Sequence, residues 1–114
     1  MLNENDKEIL EIIINHCERI EKKMIGIKEE EFYNDLDLQE IICFNILQIG
    51  EVANKLTSKF IKEYNKQPWY DIVGMRNVVV HAYGTIKKDE VWKCASQEMK
   101  PLREYCENIL QTCK

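Results

Sequence analysis

Apolar residues return every third or fourth position along most of the chain, and this spacing predicts helices. Ile9, Ile13, His16, Cys17, Ile20 and Met24 share one face, and Glu and Lys residues fill the other. A first helix is therefore expected from about Lys7 to Ile25. Asn5 or Asp6 would cap its start and Gly26 would close it. Leu38, Ile41, Ile42, Ile46, Ile49, Val52, Ala53 and Leu56 predict a second helix, from Asp35 or Asp37 to about Leu56. Its stripe is wide enough to face both a core and a partner. Gly50 interrupts it at a cost of about 1 kcal/mol relative to Ala, which points to close helix–helix approach.

Thr57 to Tyr64 predicts a short further helix, and residues 65–68 (Asn-Lys-Gln-Pro) predict a break. A third main helix is expected from Asp71 to about Ala82, stopped by Gly84. The last helical section is expected from Thr85 or Lys88 to about Thr112, with Pro101 breaking or kinking it after Met99. No segment alternates with period two. The expected fold is all-α: an antiparallel bundle of four or five helices, forming one domain over residues 1–114.

Composition agrees. The chain has 114 residues, of which 45% are apolar and 32% charged, too apolar a balance for a disordered chain. Four Gly and two Pro exclude collagen-like and Pro-rich classes and fit poorly with a turn-rich β sandwich. No apolar run approaches the roughly 20 residues of a membrane span. The first ten residues lack the basic-then-apolar order of a signal peptide. These features predict a cytoplasmic protein without membrane contact. Cys17, Cys43, Cys94, Cys106 and Cys113 form no C-x-x-C pair and read as reduced, half-buried small hydrophobes. His16 and His81 have no pair-spaced thiolates nearby, so no metal site and no cofactor are expected.

The net charge of −4 does not advertise nucleic-acid binding. Its distribution is uneven. Residues 76–103 hold six basic side chains against three acids, whereas the rest of the chain holds ten against seventeen. This pattern has two readings: a chance fluctuation on solvated faces, or a local anion-binding surface on an acidic protein.

The segment that concentrates chemistry is Gly74 to Gly84, GMRNVVVHAYG. At about 100° per residue, Ile72, Val73, Val79 and Val80 fall within roughly 60° of Arg76, and Tyr83 within about 20°. An arginine in the middle of an apolar arc must snorkel, pair or serve a site. Asn77 and His81 lie one turn apart on a neighbouring face. Singly, Arg76 reads as a structural ion pair and His81 as a hydrogen-bonded core histidine. Together with Asn77 and Tyr83, they read as a site.

Arg76-Asn77-x-x-x-His81-x-Tyr83 resembles the R-x4-H-x-Y motif of HepT toxins, small helical ribonucleases of the HEPN superfamily. Three further segments are similar in order and spacing. QIGEVANKL at Gln48 to Leu56 resembles the family's I-G-E-A segment, with Val52 in place of the usual alanine. PWYDIVGMRN resembles its lead-in through Trp69, Ile72, Arg76 and Asn77. DEVWK at Asp89 to Lys93 resembles the start of its final helix. The resemblance spans most of residues 6–110.

The resemblance implies a metal-independent endoribonuclease acting through 2′-hydroxyl attack, as the toxin of a type VII-like toxin–antitoxin pair. It implies Arg76, Asn77 and His81 as the catalytic set, on an RNA substrate. The residue types suit that chemistry. Imidazole transfers protons near neutral pH, and guanidinium grips phosphate in two-pronged fashion. The reaction wants an acid and a base, yet the segment offers one histidine. Arg76 and His81 also diverge by about 140° on an ideal helix. A two-fold homodimer with a composite site resolves both, and the resemblance implies such a dimer. It further implies that Tyr83 is where a MntA-like nucleotidyltransferase antitoxin adds AMP. The added charge and bulk there would block the cleft.

Lys87 and Lys88 could track the RNA backbone or be plain surface lysines. Trp69 and Trp92 read as core anchors rather than base-stacking platforms, and His16 reads as structural. Glu51 is a candidate counter-charge for Arg76. A second reading stays open: a non-catalytic HEPN-fold subunit that binds a nucleotide or a partner alongside a nucleotidyltransferase.

Overall fold

The structure is a computed structural model and describes residues 2–66, 69–75, 77 and 87–112. The described residues are helical almost throughout, with no strand among them. The elements are α1 (Glu4–Met24), α2 (Glu29–Tyr33), α3 (Leu36–Ala53), α4 (Ser58–Glu63), α5 (Trp69–Val73), α6 (Lys88–Lys93), a π turn (Cys94–Glu98) and α7 (Met99–Thr112).

Helix α1 starts earlier than its periodicity predicts. Asn3, not Asn5 or Asp6, is the cap: its side-chain oxygen accepts the N–H groups of Asn5 at 2.7 Å and Asp6 at 3.3 Å. Asp6 is 2% exposed, and its carboxylate is engaged elsewhere. It accepts Thr57 N–H at 3.0 Å and Thr57 Oγ1–H at 2.7 Å. Thr57 in turn caps α4 by accepting Phe60 N–H at 3.2 Å. At the other end of α1, Gly26 sits at φ 72°, a conformation that a Cβ would strain.

Helix α3 is capped by Asp35, which accepts Leu38 N–H at 3.0 Å. It runs through the buried Gly50 without a break and ends at Ala53, a turn before the expected Leu56. The α2 turn carries no periodicity of its own. Phe32, fully buried against the core, holds it there.

Side-chain contacts fix the topology. Between α1 and α3, His16 meets Asn45, and Asp6 meets Thr57 just beyond the end of α3. Between α1 and α7, Cys17 neighbours Cys106 and Glu21 meets Arg103. Numbers rise along α1 as they fall along its partners, so α1 runs antiparallel to both. The core between them is Leu10, Ile13, Ile20, Ile42, Ile46, Ile49 and Leu102, among others. Each such side chain contributes about 1.5–3 kcal/mol by leaving water.

Pro101 does not break the last helix. The chain widens into the π turn over Cys94–Glu98 and resumes α geometry at Met99. Pro101 then falls in the first turn of α7, where a missing N–H costs least and the ring has no tight preceding turn to crowd. Ser96 Oγ donates to Trp92 O at 2.6 Å across the widened turn. Trp69 opens α5 two residues ahead of the expected Asp71, a turn at Gly74 interrupts the expected helix before Met75 and Asn77 return to it, and its course from residue 78 to Ala82 and Gly84 lies outside the described residues. No helix among the described residues is long and apolar enough to cross a membrane.

Candidate functional site

The motif segment enters from α5, and α5 is anchored by Trp69. Its indole N–H donates to Tyr64 O at 2.7 Å. Its ring packs between Phe60 (centroids 5.3 Å) and Tyr105 (6.0 Å). Ile72 is buried below it. Beyond α5, Asn77 donates its backbone N–H to Gly74 O at 2.9 Å and is exposed. Of the predicted catalytic set, Asn77 alone is placed. Arg76, His81 and Tyr83 lie outside the described residues, and so does the expected pairing of Arg76 with Glu51.

The chain re-enters at α6. Lys87 accepts Val91 N–H at 3.0 Å, and its ammonium stands 3.9 Å from Glu90. Lys88 is exposed but tethered, donating from Nζ to Tyr33 O at 3.2 Å. Gln39, buried on α3, donates to the carbonyls of both Phe32 and Tyr33, at 2.9 and 3.2 Å. The end of α2 is thus held from α3 and from α6 together. Gln39 Oε1 is buried and has no hydrogen-bond partner among the described residues.

A cavity of about 490 Å³ opens between α5 and the α6–π–α7 section. Asp71, Gly74 and Met75 line one side, and Lys93, Gln97 and Glu98 are among the residues on the other. With Glu90 also in the wall, acids outnumber Lys93 among the described residues that line it. The basic residues that cluster in sequence are therefore divided. Lys93 faces this cavity, whereas Lys100 and Arg103 line a different one at the end of α1. Arg103 is committed to a two-pronged pair with Glu21, including Nη2–Oε1 at 3.0 Å, and to Glu107 at 2.9 Å. Hydrogen bonding to Glu21 raises its pKa further above the usual arginine range.

The other singled-out residues fall on both sides of expectation. His16 is structural: its Nδ1 lies 2.8 Å from Asn45 Oδ1. Asn45 Nδ2 donates to Ile41 O, which leaves Oδ1 as acceptor and puts the His16 proton on Nδ1. The two tryptophans part company. Trp69 is 2% exposed, a core anchor, whereas Trp92 is half-buried on the rim of the α1 cavity. Periodicity could not separate them. Cys17, Cys43, Cys94 and Cys106 are buried free thiols. Burial pushes Cys43 up to about 11 and Cys94 and Cys106 up to about 12. Among the described residues, no group of three His, Cys, Asp or Glu side chains is placed to hold a metal ion.

Comparison with known proteins converges on one family. Residues 13–109 match the family model described as "Ribonuclease HepT-like". A protein of Caldanaerobacter subterraneus subsp. tengcongensis named "Putative RNase TTE0752" is 30% identical over 102 residues, covering 90% of this chain and 91% of that one. "Probable ribonuclease HepT" of Thermococcus cleftensis is 25% identical over 108 residues, covering 95% and 98%. No solved structure gives a significant match. The family model spans all but the ends of the chain, the motif segment included. The chain belongs to the HepT-like ribonuclease family of the HEPN superfamily.

Proposed function

We propose that this chain is a metal-independent endoribonuclease, the toxin of a toxin–antitoxin pair. One observation carries the proposal: a ribonuclease family match over residues 13–109 that contains an intact Arg76-Asn77-x-x-x-His81-x-Tyr83.

In this account the 2′-hydroxyl oxygen attacks the adjacent phosphorus, and the bond from phosphorus to the 5′-oxygen breaks. The imidazole of His81 takes the hydroxyl proton. A second copy's imidazolium returns a proton to the leaving 5′-oxygen. The products are a 2′,3′-cyclic phosphate and a 5′-hydroxyl. Arg76 holds the phosphate oxygens as charge builds on them. Asn77, exposed and four residues before His81 in the sequence, orients the imidazole or donates to the phosphate.

The need for two imidazoles asks for a homodimer. Helix α3 offers a surface for it. Ile41, Phe44, Gln48 and Val52 lie within about 80° of one another on its outward side. Ile41 is 41% exposed and Phe44 is 56% exposed. Tyr83 is the control point, where a nucleotidyltransferase antitoxin adds AMP and so places negative charge two residues from His81.

The test is RNA cleavage by the purified chain in EDTA, beside His81→Ala and Arg76→Ala. The wild type should cleave and leave cyclic-phosphate ends, and both variants should lose activity. Cleavage that survives His81→Ala would remove the proposed base.

A further inference from the structure

A cavity of about 550 Å³ opens at the end of α1, within the range of sites that hold small groups. Its apolar lining comes from Met24, Ile25 and Ile27 at the α1 end, Trp92 of α6 and Ala95 of the π turn. Its rim carries Lys22 and Lys100. Both are exposed, and neither makes an ion pair among the described residues. Arg103, also in the wall, is neutralised by Glu21 and Glu107.

Trp92 is built as a platform. Phe32 backs its ring at 5.6 Å with a 47° tilt, so the indole is braced from the core side. Its carbonyl holds Ser96 across the π turn. Trp92 also lines the cavity. A half-buried, braced indole in one cavity with two exposed ammonium groups has the parts of a nucleic-acid contact: a face for a base and cations for the flanking phosphates.

We propose that this cavity is a base-stacking subsite for single-stranded RNA. Trp92 stacks one unpaired base, and Lys22 and Lys100 hold the phosphates on either side. The identity of the polymer rests on the ribonuclease reading; the geometry of the subsite does not. A duplex is excluded, because its bases already stack on one another and offer no free face. Two carboxylates share the wall. Glu21 is matched by Arg103. Glu18 would repel a phosphate but can accept from an exocyclic amine, so a cytosine base fits better than a uracil.

The experiment is ¹⁹F NMR of the full chain labelled with 5-fluorotryptophan, with Trp92→Phe assigning the two signals. The probe is a 2′-O-methyl hexacytidylate. It lacks the hydroxyl nucleophile, so no cleavage intrudes. Single-stranded hexamer should move the Trp92 signal saturably and leave Trp69 in place. A 2′-O-methyl duplex of the same length should move neither. Lys22→Ala with Lys100→Ala, both at exposed positions, should weaken binding about tenfold and flatten its salt dependence. A Trp92 signal that stays still, whether the hexamer binds elsewhere by fluorescence anisotropy or does not bind at all, overturns the subsite. If unmodified RNA is nonetheless cleaved, the ribonuclease reading stands without it. If Trp92 responds but no RNA is cleaved, the subsite stands and that reading falls.

Discussion

Asp6 and Thr57 join the first turn of α1 to the cap of α4 through two hydrogen bonds, of 3.0 and 2.7 Å, across 51 positions of chain. The carboxylate satisfies one backbone and one side-chain donor, and Thr57 passes the effect on by capping α4. Removing the carboxylate leaves a part-buried N–H and hydroxyl without an acceptor. Asp6→Ala should therefore cost about 2–4 kcal/mol in urea unfolding. Thr57→Val should cost about 1–2 kcal/mol, since it loses the cap and one bond but keeps the N–H contact.

Glu21 and Arg103 clamp α1 to α7 with a forked pair whose side chains are 27% and 21% exposed. A double-mutant cycle with Glu21→Gln and Arg103→Met should give a coupling of about 1 kcal/mol. Added salt should reduce it only partly, because the pair is mostly sheltered.

The buried thiols predict alkaline weakness. Cys43, Cys94 and Cys106 have folded pKa values raised from 9.0 to about 11, 12 and 12, chiefly by burial. The unfolded chain loses these protons first, so it binds fewer protons than the folded chain above pH 9. Stability is full below that point and falls as pH rises from about 9 toward 12. The hydrogen bond from Tyr33 to Glu29 raises the phenol to about 12 and acts in the same direction. Urea midpoints measured at pH 8 and pH 10.5 should show the fall. Iodoacetamide at pH 8 should label Cys17, Cys43, Cys94 and Cys106 only after unfolding.

Trp69 holds the entry to the motif segment. Trp69→Phe removes the bond to Tyr64 O and leaves space beside Phe60 and Tyr105. A loss of about 2–4 kcal/mol is expected by urea unfolding. Trp92→Phe, on a half-buried rim, should cost under about 1.5 kcal/mol.

The long helices were legible because their periodicity and caps are local. Asp35, Thr57 and Gly26 stand where sequence alone places a boundary. What was not legible depends on distant partners. Asp6 looks like a cap for α1 until Thr57 is seen to occupy it. The α2 turn has only Phe32 to bury and exists because the core receives that ring and Gln39 ties its last carbonyls. Pro101 predicts a break or kink after Met99, yet the irregularity is a π turn ahead of it, over Cys94–Glu98, and the ring falls in a first turn that tolerates it. Trp69 and Trp92 look alike in sequence, and packing alone divides them into anchor and rim. The motif and its lead-in made the family legible as a resemblance, and the family match agrees with that membership. The division of the basic residues between two cavities was not legible, because charge counted along the chain ignores which helix face carries it.

The most direct test uses an RNA whose cleavage position has been mapped, resynthesised with a single 2′-deoxy sugar on the 5′ side of that linkage. The purified chain in EDTA should cut the unmodified strand to a 2′,3′-cyclic phosphate and leave the substituted linkage intact. Cleavage of the substituted linkage, or dependence of cleavage on an added divalent ion, would contradict the account.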